Sequence, residues 1–304
     1  MNLDTVVISG AGGLVGSALV KELISTGGAN RVLKLSRPGG GDGDAVLWDP
    51  RGFSIDAARL EGCSAVVHLA GEPIAGGRWN NARKMKIQSS RIEGTHLLVD
   101  GLLRLKRPPK VLVCASAIGY YGDRGEEVLT ESSAPGSGFL AEVAKGWESE
   151  AARATEAGIR VVSLRIGVVL AREGGALKKM LLPFRLGAGG RLGTGRQWMS
   201  WIHIDDLISI IRLALTRDDI TGPINAVAPG PVTNAEFTTA LARALRRPAI
   251  LPAPAFALKL ALGEMAQALL LSSQRVTPGR LAALGHVYKY PRVEMALSRI
   301  LERS

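Results

Sequence analysis

Residues 5–16, TVVISGAGGLVG, decide the fold of this chain. Val6-Val7-Ile8 is short, apolar and β-branched, the pattern of a buried parallel strand. It runs into Gly10-Ala11-Gly12-Gly13, and residues 14–23 then read as a helix. Strand, glycine turn and helix, in that order, make a dinucleotide-binding turn credible. Such a turn needs glycine where φ is positive and where the backbone must approach a pyrophosphate. The amides that open the helix then face the phosphates, helped by the helix dipole. The spacing is Gly10-x-x-Gly13-x-x-Gly16, with no GxGxxG version in the stretch. An ordinary strand-to-helix turn is the simpler alternative, and the βα context weighs against it. Gly10, Gly12, Gly13, Leu14, Val15 and Gly16 are the first candidate cofactor-binding residues.

Outward from this turn, Gly27-Gly28 ends the first helix, and residues 31–35 read as a second strand followed by Ser36-Arg37-Pro38. An Asp or Glu at the end of this strand binds ribose hydroxyls, whereas a 2′-phosphate needs a cation and donors. No acid lies among Lys34 to Arg37. The pattern predicts NADP(H), with Arg37 on the phosphate and Ser36 as a second donor. An exposed loop arginine is the plainer reading. Residues 39–44 form a loop rich in glycine and aspartate. Residues 65–69 are a further buried strand running into Ala70-Gly71, where small residues let the backbone pass under adenine or ribose. His68 reads as a packed strand histidine.

The alternation continues. Residues 79–106 read as one long helix, 110–115 as a strand, 139–157 as a helix and 159–164 as a strand. Strands alternating with helices predict a doubly wound parallel sheet. Residues 171–200 break the rhythm, with a short helical piece and then a glycine-rich segment. They carry Arg172, Lys178, Lys179, Arg185, Arg191 and Arg196 against one acid, Glu173. A strand at 201–204, helices at 205–216 and 234–245, and an apolar helix over 252–271 complete the chain, with Thr233 or Asn234 as an N-cap.

Of 304 residues 46% are hydrophobic, enough for a large core in one domain or two joined ones. Cys63 and Cys114, each beside an apolar run, read as reduced buried thiols. A strand begins almost at the first residue, leaving no room for a signal peptide, and no apolar run reaches the length of a membrane span. A cytoplasmic protein without a membrane partner is expected. Residues 1–150 hold 17 Lys+Arg against 17 Asp+Glu, and residues 151–304 hold 21 against 10, so the second half carries the whole net charge of +11. No basic run is interleaved with aromatics, which argues against nucleic acid. The charge fits a small anionic substrate or a basic solvated surface.

Taken together, Gly10-x-x-Gly13-x-x-Gly16, Val67-His68-Leu69-Ala70-Gly71, Tyr121-Gly122, Leu164-Arg165 and Trp201-Ile202-His203-Ile204-Asp205-Asp206 resemble the extended short-chain dehydrogenase/reductases. Ser116-Ala117-Ile118-Gly119-Tyr120-Tyr121-Gly122, Arg165-Ile166-Gly167-Val168-Val169-Leu170, Leu182-Pro183-Phe184-Arg185-Leu186-Gly187 and Gln197-Trp198-Met199-Ser200 resemble an atypical, nucleoside-diphosphate-sugar epimerase-like subgroup. From about Leu251 the chain is similar to that subgroup's small C-terminal domain of unknown role. The resemblance covers nearly the whole chain. It implies an α/β protein with a Rossmann-type doubly wound parallel sheet and a smaller C-terminal part facing the substrate. The expected division is 1–170 plus about 201–228 for NADP binding, with 171–200 and 229–304 forming the smaller part. The resemblance further implies cofactor contacts at Ser36, Arg37, Leu69, Ala70 and Arg91. Gly71, Ala115 and Leu170, each closing a strand or motif, complete the cofactor-binding set. Homodimers through the helices of 79–106 and 139–157 are a further expectation of the resemblance.

Active members use a Tyr-x-x-x-Lys helix pair with a nearby Ser or Thr. Here that helix reads Phe139-Leu140-Ala141-Glu142-Val143-Ala144-Lys145. Phe139 as the Tyr puts Val143 in the Lys place, and Leu140 puts Ala144 there. Lys145 lies one residue further on, about 100° around the helix. The usual Ser position falls on Ala117, beside Ser116. No metal site is expected, and the catalytic residues are unassigned. Tyr120, Tyr121, Lys145 and His203 remain as acid/base candidates, each with a structural alternative. Tyr121 is expected beside the nicotinamide, and Asp205 and Asp206 as caps of a helix. Two functions follow: an NADP(H)-dependent oxidoreductase or epimerase-like enzyme with a non-standard acid/base group, or an inactive cofactor-binding regulatory or interaction protein.

Overall fold

A computed structural model describes residues 3–40 and 45–302. The glycine- and aspartate-rich loop expected at 39–44 therefore falls, at Gly41, Asp42, Gly43 and Asp44, outside the described residues. One eight-stranded sheet organises the molecule. Its strands are β1 (Leu3–Ser9), β2 (Ala29–Ser36), β3 (Ala45–Asp49), β4 (Ser54–Ile55), β5 (Ala65–His68), β6 (Val111–Ala117), β7 (Arg160–Ile166) and β8 (Gly222–Ala226). Their order across the sheet is β8-β7-β6-β5-β1-β2-β3-β4. All neighbours are parallel except β4, which returns antiparallel along β3. The order reverses between β1 and β5, and a crevice opens at such a switch point, beyond the strands' carboxyl ends.

The central strands β5, β6 and β7 and most of β1 are buried on both faces, as their continuous apolar runs require, while β3 and β4 at one edge are partly exposed. Successive side chains point to opposite faces. Val6, Ile8, Val67 and Val113 meet α1 (Leu14–Ser25) and α6 (Ile204–Thr216) on one side. Val7, Val66 and Leu112 meet α3 (Ile92–Leu103) and α4 (Phe139–Ala152) on the other. A third cluster joins α5 (Gly175–Arg185), α7 (Asn234–Leu245) and the last helix, Val293–Leu301, through Leu177, Phe184, Phe237, Leu241 and Leu297. It is tied to the sheet by Asp206, whose carboxylate accepts the backbone N–H groups of Lys289 and Tyr290.

Several expectations are corrected. The single helix expected over 79–106 is two: α2 (Asn81–Ser89) and α3. Between them the Ile87 carbonyl accepts from Ser90 Oγ and the Arg91 guanidinium, while the Arg91 amide turns to Gln88. Side-chain donors thus take the place of the next helical bond. The apolar helix over 252–271 is interrupted at Gly263, φ +63°, after α8 (Ala255–Leu262). The β3–β4 hairpin and β8 carry no expectation from the sequence. Thr233 caps α7 in a full capping box with Glu236. His203, and neither aspartate, caps α6: its ring accepts the Asp205 amide at 3.1 Å.

Candidate cofactor cleft and the polar cluster beside it

The glycine turn sits at the switch point. Gly10 has φ +67°, and a Cβ there would lie 2.9 Å from the backbone of Leu69 and Ala70. A Cβ on Gly16 would lie 2.2 Å from the Gly10 carbonyl, so glycine alone lets α1 start this close to the turn. A Cβ on Gly12 meets no atom within 4 Å, so this glycine borders open space. Leu14 packs toward Gly174 and Gly175, and Val15 packs on the sheet's core. Leu69 and Ala70 both donate their amides to Ser9 Oγ, at 3.0 and 3.1 Å. The Ser9 hydroxyl in turn donates to Nδ1 of His68, and Nε2 of His68 faces Thr95 Oγ1 at 3.0 Å. Burial holds the His68 pKa down at about 4, so the ring is neutral and the chain of donors runs one way. His68 is therefore the packed strand histidine expected, and it fixes the backbone at the cleft's edge.

From this turn a cavity of about 1070 Å³ runs past the ends of β2 and β3. Gly10, Gly12, Gly13, Ser36, Arg37, Leu69, Ala70 and Gly71 line it. Lys21, Lys34, Trp48, Arg51 and Phe53 do too, and the sequence reading passed over all five as site residues. The turn residues Asp49-Pro50-Arg51-Gly52 were the available signal for the hairpin that brings in the last three. Arg91, Ala115 and Leu170 are off this wall. Arg91 lies behind Gly71, donates to the Glu72 and Ile87 carbonyls and stacks over Trp147. Its burial lowers the guanidinium pKa to about 10. Ala115 and Leu170 are buried in the core.

The chain's own features fit a dinucleotide phosphate. α1 has no side-chain cap and no acid in its first turn, so its amides are left for an anion. At the far end of the wall, Ser36 and Arg37 stand where a ribose carboxylate partner would otherwise be.

At the carboxyl ends of β6 and β7 the acid/base candidates are otherwise engaged. Ser116 donates to Glu148 at 2.6 Å. Arg165 binds Glu148 through two bonds, at 2.9 and 2.8 Å, and also donates to the Tyr121 hydroxyl at 2.9 Å. Tyr121 donates onward to Asn225 at 2.7 Å. Burial opposes the charge on Arg165, but the Glu148 bonds hold its pKa above the ordinary value. Tyr121 is fully buried and burial raises its pKa, so it is a structural member of this cluster and does not face the cleft as expected. Lys145 is at the surface, paired with Glu142 at 2.8 Å. His203 is an N-cap stacked on Tyr290 at 4.0 Å. Tyr120 is half-buried, its ring 3.5 Å below the Arg165 guanidinium. Phe139, Leu140, Val143 and Ala144 supply no proton-transfer group. Among the described residues no cluster of His, Cys, Asp and Glu could hold a metal, and no helix is long and apolar enough to cross a membrane.

Two family models match the chain. The NAD dependent epimerase/dehydratase family covers residues 6–226, and a domain of unknown function, DUF1731, covers 253–300. An epimerase family protein of Mycobacterium tuberculosis is 39% identical over 96% of this chain and 96% of its own. The chloroplastic SDR39U1 homolog of Arabidopsis thaliana is 41% identical over 98% of this chain and 87% of its own. The crystal structure of human epimerase family protein SDR39U1 with NADPH superposes with a TM-score of 0.89, at 37% identity, over 98% of this chain and 99% of the other. The sheet, the turn at its switch point and these matches agree: the chain belongs to the NAD dependent epimerase/dehydratase family.

Proposed function

We propose that this chain binds NADP(H) in the cleft and is an oxidoreductase or epimerase-like enzyme that works without a Tyr-x-x-x-Lys pair. The observation that carries the cofactor choice is Ser36-Arg37 on the cavity wall, with no carboxylate from Lys34 to Arg37. Gly10, Gly12 and the first turn of α1 hold the pyrophosphate through backbone N–H groups, while the Gly13 N–H donates to the Gly10 carbonyl at 2.9 Å and shapes the turn. Arg37 and Ser36 hold the 2′-phosphate, and the Leu69-Ala70-Gly71 backbone supports the adenosine from below. Arg91 acts by holding Glu72 and the end of α2 in place behind Gly71. The human relative bound to NADPH supports this reading. Bound NADPH supplies a hydride. Of the four acid/base candidates only Tyr120 is neither fully buried, capping a helix nor paired at the surface, and it is the residue to replace first.

Residues 174–204 contain Lys178, Lys179, Arg185, Arg191 and Arg196 and no acid. All five are exposed, none lies on the wall of the main cavity, and Lys179 donates to the Ala75 carbonyl. An anionic substrate held by part of this set, a smaller part formed by 171–200 and 229–304, a cytoplasmic location and a homodimer through α3 and α4 complete the proposal. Calorimetric titration with NADPH and NADH tests the cofactor. Isotope transfer from labelled NADPH to a panel of carbonyls and nucleotide sugars, with wild type and Tyr120→Phe, tests the chemistry. Unlabelled products throughout would leave a cofactor-binding regulatory protein. Unchanged phosphate binding in Arg185→Ala and Arg196→Ala would remove the anionic substrate.

A further inference from the structure

α8 (Ala255–Leu262) reads AFALKLAL, apolar all round except at Lys259. A helix of that composition belongs in a core or against lipid. Yet none of its residues is buried. Phe256 and Leu260, one turn apart, are 74% and 76% exposed. The chain enters α8 through Arg246-Arg247-Pro248-Ala249-Ile250-Leu251, where Ile250 is 77% exposed. The Leu251 amide donates to the Gly189 carbonyl and the Ala253 amide to the Arg191 carbonyl, so this stretch is seated on the turn that follows α5. α5 buries Leu177, Leu181 and Phe184 and leaves Leu182 and Leu186 outside, again one turn apart. Single exposed apolar side chains are ordinary, whereas six large ones on two joined segments mark a contact surface.

The charge of the two segments says what covers it. Residues 237–263 carry Arg243, Arg246, Arg247 and Lys259, all exposed, and no acid, and residues 174–204 carry no acid either. A second copy of this face would set like charges against one another. An anionic lipid surface does the opposite: apolar side chains enter the headgroup boundary while the Lys and Arg stems reach back to the phosphates. We propose that residues 246–262, with the outer side of α5, dock reversibly on an anionic membrane surface. Phe256 and Leu260 enter the boundary, and Arg246, Arg247 and Lys259 meet lipid phosphates. Among the described residues no helix is long and apolar enough to cross a membrane, so the contact is peripheral. It does not depend on the cofactor reading.

The test is flotation of the full chain with vesicles of phosphatidylglycerol and phosphatidylcholine in equal parts, against vesicles of phosphatidylcholine alone. Wild type is expected to float with the first at low salt, to leave them as ionic strength rises, and to stay behind with the second. Phe256→Ser combined with Leu260→Ser is expected to weaken binding about tenfold or more. Arg247→Gln combined with Lys259→Gln is expected to weaken it about thirtyfold. All four residues are exposed, so melting temperatures stay near that of the wild type, which separates lost docking from lost folding. No flotation with the anionic vesicles overturns the proposal, as do equal binding to both kinds of vesicle and flotation that the variants leave unchanged. A dimer in sedimentation equilibrium that is lost with Phe256 and Leu260 assigns the face to a second copy. Binding of polyglutamate that needs the same two residues assigns it to an acidic protein, and either result overturns the proposal.

Discussion

Arg37 is the residue on which cofactor choice turns. A charge-assisted bond to a phosphate contributes about 1.5–3 kcal/mol. Arg37→Ala is therefore expected to weaken NADPH about tenfold to a hundredfold and to leave NADH unchanged, as titration calorimetry would read. An equal loss for both would move Arg37 off the phosphate. Gly10 carries a different cost. Alanine in its left-handed conformation costs about 1–2 kcal/mol, and its Cβ would press on the Leu69 and Ala70 backbone at 2.9 Å. Gly10→Ala is expected to lower the urea midpoint and to abolish nucleotide binding together, because the strand end and the phosphate cradle are the same atoms. Residue-scale reading of the sequence reached both positions, since glycine spacing and a missing acid are visible without coordinates. It could not see that Tyr121 is buried, because a Tyr-Gly pair looks alike on either side of a cleft wall.

At the scale of elements, the cluster of Ser116, Glu148 and Arg165 binds the end of β6 to α4 and β7. Arg165 and Glu148 are both largely shielded from water. Removing one partner of such a pair strands the other charge and costs about 3–5 kcal/mol. Glu148→Ala should cost that much in denaturant unfolding. The double variant Glu148→Leu with Arg165→Met should cost much less than the sum of its singles. Additive losses would show that the two groups act independently. This cluster also explains why the α4 helix lacks the expected Tyr and Lys without collapsing: its inward positions are Val143, Ala144 and Trp147, packed as core. The break between α2 and α3 was not legible, because it depends on Ser90 and Arg91 competing for one carbonyl. Helical periodicity runs straight through it.

For the whole molecule, stability against acid follows from its buried histidines. Burial lowers the pKa of His68 to about 4, and it lowers those of His203 and His286. Unfolded, each titrates near 6.5. Below that pH the unfolded chain binds protons that the folded chain refuses, so stability falls as pH drops. For His68 the contribution is complete above about 6.5 and is lost between there and about 4, with a slope of up to about 1.4 kcal/mol per pH unit. Urea midpoints measured from pH 7.5 downward should decline over this window, and the decline should be shallower in a His68→Gln variant that still folds. A flat profile would place these rings in water.

The turn from Ile8 to Gly16, the alternation of strands and helices, and the cation at the end of β2 were determined by the sequence alone. Each is a local pattern whose cause, positive φ, a period of two or of 3.6, or a missing carboxylate, lies within a few residues. The hairpin of Trp48 and Phe53, the burial of Tyr121 and the closed circuit from Ser116 through Arg165 to Asn225 were decided only by the tertiary structure. The hairpin closes locally, Trp48 opposite Ile55, but its place on the cleft wall, like the partners of Tyr121 and Ser116, depends on residues far along the chain, up to 104 between Tyr121 and Asn225. Which polar group meets which, and which faces the cleft, depends on how sheet and helices pack, and no short-range pattern encodes that.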